Sequence, residues 1–460
     1  MAIEVKMRPE EGTKTILPQQ LDDGLVMRRP TAEDTEALVH LSATTPTGTV
    51  CKAPDDRIAA WTRDLLTRPH PTFTSDDCIL VKDTRSGEIV SIVLLIPQTW
   101  SYAGVLFGVG RPEMVCTHPD YRNRGLIRAQ LDVLHEWSLR RGDFAQAITG
   151  IPFFYQQFGY EMALSLGGGR GTHSLAVPAL PEGTAERFRL RPAQAEDAGY
   201  LAEVEGVAAR RYLVTCVRDA GIWRYEIGGK SDKSWARLEL RIIVETASGE
   251  CAGYLGFDPR FWDEWEDARL TVCLLELNEG RSWLDVVPSL LRGLVVEGQA
   301  LAAGAGRSLG GLEFALGLEH PFYQAARTRL ATERKPYAYY LRVPDVPRFV
   351  RHVAPVLERR LGRSVATGYS GEMKLSFYKS GLKLTLCDGH LGGVQAWQPS
   401  NEDLGAAAFP GRSFLQALFG YRDVADLSRI SPECWVENDE TWALLLALFP
   451  RQPSDVWAVS

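Results

Sequence analysis

The sequence predicts an α+β protein made of two tandem copies of one strand-and-helix unit, followed by a third α+β domain of different grammar. Three observations carry that prediction. Two distant stretches begin alike: Arg28-Arg29-Pro30-Thr31-Ala32-Glu33-Asp34 leads into Ala37-Leu38-Val39, and Arg189-Leu190-Arg191-Pro192-Ala193-Gln194-Ala195-Glu196-Asp197 leads into Tyr200-Leu201. Each reads as a short strand followed by a helix with an acidic start, as the helix macrodipole favours. The copies also share a later landmark: Tyr155 of Phe154-Tyr155-Gln156 lies 126 residues after Arg29, and Tyr323 of Phe322-Tyr323-Gln324 lies 132 after Arg191. From about Val343 the pattern changes to helix, then sheet, then helix.

Length and composition bound the rest. At 460 residues the chain is long enough for about three domains, and 45% hydrophobic with 24% charged residues is the balance of a soluble globular protein. No run approaches the roughly 20 apolar residues of a membrane span. Residues 1–12 are polar and lack the apolar centre of a signal peptide, so a cytoplasmic location and no membrane partner are expected. The eight cysteines show no Cys-x-x-Cys and read as reduced core residues. The eight histidines hold no pair at ligand spacing, so no metal is expected. A net charge of −7 argues against nucleic acid and sits more comfortably with a cationic substrate.

Taken in order, residues 1–24 form an extension and 25–175 the first copy. Its most informative stretch is Val115-Cys116-Thr117-His118-Pro119-Asp120-Tyr121-Arg122-Asn123-Arg124-Gly125-Leu126-Ile127-Arg128. Here a strand turns into an amphipathic helix: Pro119 stops the strand, Gly125 permits close backbone approach, and Leu126, Ile127, Leu131 and Leu134 form the apolar face. The free N–H groups and positive dipole end of such a helix suit a pyrophosphate, with Arg122, Arg124 and Arg128 adding charge. An ordinary strand–helix connection with a solvated arginine face is the plainer reading.

Residues 176–184, with Pro178, Pro181 and Gly183, read as a linker to the second copy, 185–342. There Asn278-Glu279-Gly280-Arg281-Ser282-Trp283 stands where the phosphate turn should fall, before a helix over about 285–303. A copy that keeps the fold and loses the turn reads as a partner shaping the substrate cleft. Phe261-Trp262-Asp263-Glu264-Trp265-Glu266-Asp267 reads first as a surface loop packed on the second copy, and otherwise as the lining of a polyamine or aminoglycoside site through cation–π contact and charge. In the third domain, 343–460, a helix is expected over 346–361 and a sheet over 371–397 with an Asp388-Gly389 turn. Helices over 413–419, ending at Gly420, and 439–449, ending at Pro450, follow.

The order Pro-x-x-Arg-x-x-Gly, after an apolar strand and before a helix, resembles motif A of the GCN5-related N-acetyltransferases (GNAT). Tyr155-x-x-Phe158-Gly159-Tyr160 resembles that superfamily's companion element. An active GNAT half, a degenerate second GNAT half and a tail similar to a sterol-carrier-protein-like domain together resemble the Eis (enhanced intracellular survival) family. That resemblance implies acetyl-CoA as co-substrate, bound by Val115, Cys116, Thr117, Asn123, Arg124, Gly125, Leu126, Ile127 and Arg128. It also implies a small amine acceptor (aminoglycoside, polyamine or lysine-like) and a homo-oligomer, commonly a hexamer.

Acetyl transfer requires a neutral amine, a polarised thioester carbonyl and a protonated leaving thiol. Tyr155 matches the family's general acid, with Tyr160 as a local competitor, and Phe153, Phe154 and Phe158 give it an apolar setting. Backbone N–H groups of 115–117 would polarise the carbonyl. The family's base is the carboxylate of the last residue, usually aromatic. Here Trp457 resembles that aromatic but three residues follow, so the base is the Ser460 carboxylate or another acid, for which Glu113 is the candidate. Two other classes stay open, an apolar-ligand binding protein and a non-catalytic acyl-CoA sensor.

Overall fold

The computed structural model describes residues 16–45, 53–261 and 267–460. The aromatic and acidic stretch 262–266 lies outside the described residues. Among the described residues the strands form three sheets, of nine, seven and five strands.

The first sheet runs in the order Gln19–Gln20, Leu25–Arg28, Cys78–Asp83, Ile89–Tyr102, Val105–Thr117, Ala145–Ile148, Tyr337–Arg342, Glu161–Leu166, with Val214–Cys216 added antiparallel to Ile89–Tyr102. The second runs Thr332–Arg334, Gly169–His173, Leu309–Phe314, Ala268–Leu277, Cys251–Asp258, Glu239–Glu245, Phe188–Pro192. The two repeats have exchanged strands. Tyr337–Arg342, late in the second repeat, pairs with Ala145–Ile148 and Glu161–Leu166 of the first; Gly169–His173, late in the first, pairs with Leu309–Phe314 and Thr332–Arg334 of the second. No local pattern announces such an exchange, because a strand's periodicity reports its burial and not its neighbour.

The repeat is visible in side chains. Arg28 grips Asp34 through two bonds of 2.7 and 2.8 Å, and Arg191 grips Asp197 through two of 2.7 Å. In each copy the aspartate also closes a capping box, with Thr31 or Gln194, ahead of the helices Thr35–Thr44 and Ala198–Ala208. The bidentate geometry and N–H bonds hold the Asp34 carboxyl well below the usual range, the Arg28 hydrogen bond being the largest cause.

The helix Leu126–Arg141 buries Leu126, Leu131, Val133 and Leu134 against the first sheet. Its counterpart, Trp283–Gly304, is long and apolar enough to pass for a membrane span by length and hydropathy, which the sequence reading did not expect. Val286, Val287, Leu290, Leu291 and Leu294 are buried in the second sheet's core, the packing of a core helix.

In the last domain the expected helix over 346–361 is two, Val346–His352 and Ala354–Leu361. Pro355 has no N–H to continue the ladder and breaks it. Asp388 and Gly389, both at positive φ, join Gly381–Cys387 to His390–Trp397 as the Asp-Gly pair predicts. The helix Val424–Ile430, capped by Asp423, was not anticipated. Trp100, Tyr102, Phe107 and Val109, at the far end of the first sheet's long hairpin, share one core with Phe349, Phe414 and Phe419. The third domain is thereby seated on the first half.

Candidate active site

The strand Val105–Thr117 pairs along its whole length with Ile89–Tyr102. On its other edge it pairs with Ala145–Ile148 only at Val109 and Gly110, and the two strands then part. The edge beyond Gly110 is therefore free of that neighbour and faces a cleft. A bulge sits in this stretch: Cys116 lies opposite Ile92 but Glu113 opposite Leu94, and Met114 takes φ 50°. An extra residue interrupts the strict alternation of a strand. As a result the consecutive residues Glu113, Met114, Val115 and Cys116 all reach the wall of one cavity.

Two cavities meet at Val115 and Ile151. The first, about 470 Å³, is lined by Val115, Thr117, Arg122, Asn123, Gly125, Leu126, Ile127 and Arg128, with Tyr121, Ile151, Phe154, Gln157 and Phe158. Asn123 (φ 62°) and Gly125 (φ 76°) bend the chain into the helix, and a Cβ on Gly125 would meet no protein atom within 4 Å. Gly125 is thus required for its conformation and leaves open space above the helix N-terminus. Arg128 lies over the Phe158 ring and donates to Gln157 at 3.0 Å. Of the nine residues expected to hold a cofactor, Arg124 does not line this cavity: it stacks over Tyr121 and donates to the Asp120 carbonyl. Cys116 lines the second cavity instead, because of the bulge.

The second cavity, about 580 Å³, contains Tyr155, Glu113 and Ser460 together. All three parts of the chain build it: Trp61 and Arg111 come from the first repeat, Lys230, Trp235, Asp258 and Tyr339 from the second, and 456–458 and 460 from the tail. Its charges are paired with one another or with buried neighbours: Arg57 with Asp55 (3.0 Å), Arg111 with Glu113 (2.5 Å), Arg260 with Asp258 (2.6 Å), Lys230 with Glu226 (2.7 Å).

Tyr155 and its counterpart Tyr323 provide an internal comparison. Both are buried, at 4% and 5% exposure. The Tyr323 hydroxyl donates to the Phe314 carbonyl at 2.8 Å and accepts from the Leu316 N–H at 3.3 Å, as a core tyrosine should. The Tyr155 hydroxyl has no hydrogen-bond partner among the described residues and lies at the cavity beside Gly150. Burial, then the nearby Glu113, Cys116 and Tyr340, push its pKa above the phenol range, so it stays protonated at neutral pH. Tyr160, the competitor, bonds His135 at 2.8 Å and is not among the cavity's lining. The exchanged strand buttresses the element: the Tyr340 hydroxyl accepts from the Phe153 N–H at 2.7 Å, and its ring meets Tyr155 edge-on. Cys116 has its thiol pushed up to about 12, mainly by burial, and is no nucleophile at neutral pH.

The tail crosses the cleft as an extended segment. The Val459 carbonyl accepts from Gln98 Nε2 at 2.7 Å, Arg111 Nη1 donates to Ser460 Oγ at 2.8 Å, and the Tyr225 hydroxyl donates to a Ser460 carboxylate oxygen at 3.3 Å. Glu113 is held by the same Arg111. In the second repeat Trp283 opens the helix directly, its indole packed on His320 and Phe322.

A bulged strand that parts from its neighbour, a glycine turn at a helix N-terminus and a buried tyrosine without a hydrogen-bond partner among the described residues thus border two adjoining cavities. Residues 27–163 match the family model described as "Acetyltransferase (GNAT) domain". No curated protein gives a significant match to the sequence. Among solved structures, a probable N-acyltransferase of Enterococcus faecalis V583 aligns with TM-score 0.63 at 14% identity, over 94% of this chain and 99% of that one. A GCN5-related N-acetyltransferase from Kribbella flavida aligns with TM-score 0.59 at 16% identity, over 94% and 97%. Eis1 from Mycobacterium abscessus gives 0.59 at 14% identity, over 95% and 99%. The likeness in fold to these proteins therefore extends over nearly the whole chain.

Proposed function

We propose that the protein is an acetyl-CoA-dependent N-acetyltransferase of the Eis type, moving an acetyl group to a primary amine by direct attack. The observation that carries this reading is Tyr155, whose hydroxyl lies at the second cavity without a hydrogen-bond partner among the described residues while the equivalent Tyr323 is fully bonded. A phenol kept protonated beside a cleft suits a general acid for the departing thiolate.

Acetyl-CoA, when bound, supplies the activated thioester. The residues that fit it are Asn123, Gly125, Leu126, Ile127 and Arg128 for the pyrophosphate, with Arg122 adding charge, and the free edge at 115–117 for the pantetheine arm and carbonyl. The Cys116 thiol, held protonated, argues for direct attack over an acyl-cysteine relay. The Ser460 carboxylate takes the amine proton, as the family resemblance implies, and Glu113, ion-paired with Arg111 at 2.5 Å, is the other candidate. The acceptor class, whether aminoglycoside, polyamine or lysine-like, comes from the family resemblance, as does a homo-oligomeric assembly. The degenerate second half supplies the far wall of the acceptor cavity.

The test is thiol release from acetyl-CoA with a panel containing an aminoglycoside, spermidine and a lysine peptide. Acetylation of at least one amine is expected, and its loss in Tyr155→Phe. Binding of acetyl-CoA with no acetylation would instead indicate an acyl-CoA sensor.

A further inference from the structure

The tail reaches the acceptor cavity over the second repeat, and its middle is held there by buried charge. Its entry is ordinary backbone pairing: the Leu213 N–H donates to the Pro453 carbonyl at 2.8 Å and the Asp455 N–H to the Val214 carbonyl at 3.0 Å. At Trp457 the arrangement changes. The carbonyl of Trp457 accepts from Arg218 Nη2, and the Nη1 of the same guanidinium pairs with Glu205. Arg218 is 5% exposed, its guanidinium lies over the Trp223 ring, and its Nε has no partner. The Trp457 indole packs on the second repeat's apolar cluster and also lines the acceptor cavity, whereas Arg218 does not line it.

A buried arginine–carboxylate pair is a poor source of stability, because taking two charges out of water offsets most of their attraction. What the guanidinium does supply is a rigid fork that joins Glu205 to one particular backbone carbonyl. That carbonyl belongs to a tail residue whose own side chain lines the cavity, three positions before Ser460. We propose that Arg218 is a positioning residue for acetyl transfer: by holding the Trp457 carbonyl against Glu205 it sets the tail as a wall of the acceptor cavity. The second repeat, which lost its own phosphate turn, is thereby the cradle of the tail. This rests on the acetyltransferase reading above, with Arg218 acting through Trp457 and touching neither substrate.

The experiment compares the full-length protein with Arg218→Met and Arg218→Lys in two measurements. Hydrogen exchange of the amides in 455–459 is read without any substrate. Steady-state kinetics are read with acetyl-CoA and whichever of spermidine, an aminoglycoside or a lysine peptide the wild type acetylates, alongside acetyl-CoA affinity by calorimetry. In Arg218→Met, exchange in 455–459 rises at least about tenfold and kcat/KM for the amine falls at least about tenfold. The Kd for acetyl-CoA stays within about twofold, since the cofactor cavity is untouched. Arg218→Lys keeps the charge beside Glu205 and recovers part of both effects; it is the variant read if Arg218→Met fails to fold. Wild-type exchange in 455–459 overturns the proposal, and so does fast exchange with kcat/KM kept. A wild type silent on every amine overturns the acetyltransferase reading instead, and the exchange measurement still tells whether Arg218 holds the tail.

Discussion

Tyr155→Phe removes one hydroxyl, and its counterpart Tyr323→Phe removes the same atom from the equivalent element of the second repeat. The two substitutions should have opposite effects. The Tyr155 hydroxyl makes no hydrogen bond among the described residues, so its loss strands no partner and the melting temperature holds or rises. The rate falls, by about 100- to 10,000-fold for a general acid, which corresponds to about 3–5 kcal/mol of barrier. Tyr323→Phe strands the Phe314 carbonyl and the Leu316 N–H, which were bonded at 2.8 and 3.3 Å. That costs about 1–3 kcal/mol of stability and leaves turnover near wild type. Thiol release and a thermal melt on both variants decide the matter. If Tyr155→Phe keeps its rate within about threefold, Tyr155 is not the acid and the contrast between the repeats has been misread.

Other perturbations test other parts. Gly125→Ala forces an L-residue to φ 76° in open space, so its structural cost is about 1 kcal/mol, while calorimetry should find acetyl-CoA affinity weakened by about tenfold or more; unchanged affinity would remove the turn from the cofactor site. Appending two residues after Ser460 displaces its carboxylate and should lower kcat by about 100-fold with acetyl-CoA affinity kept; full activity would transfer the base role to Glu113. His70 and His135 are both lowered to about 3, chiefly by burial and then by the charges of Lys230 and Arg342. Their folded values lie below the unfolded 6.5, so the stability they contribute is present above pH 6.5 and is lost as pH falls from there toward 3. Denaturant titrations should find about 1.4 kcal/mol lost per pH unit for each histidine in that window, and His135→Phe should remove one histidine's share of the slope; an unaltered slope would contradict the assignment.

The parts of the fold legible in the sequence were those written in local chemistry. Arg28 to Asp34 and Arg191 to Asp197 recur because each pair closes the same strand-to-helix corner. Asn123 and Gly125 announce a turn through residues that tolerate positive φ. Tyr155 was found by its motif, and its difference from Tyr323 could not be, since that lies in what surrounds the hydroxyl. The bulge at Met114 was illegible, and with it the transfer of Cys116 to the acceptor cavity: nothing in Glu113-Met114-Val115-Cys116 breaks the alternation of a strand. Arg111 and Tyr340 were missed for a related reason. Their roles come from a strand exchange and a returning tail, which bring together residues more than a hundred positions apart.

The central claim is that one bound acetyl group leaves as an amide on an amine. The most direct measurement is mass spectrometry of the amine panel after incubation with acetyl-CoA and the purified protein, with released thiol counted in the same samples. The account predicts acetylated amine and free thiol in equal amounts, both abolished by Tyr155→Phe. Acetyl-CoA bound at the turn with no acetylated amine, and thiol no faster than in a protein-free blank, would contradict it.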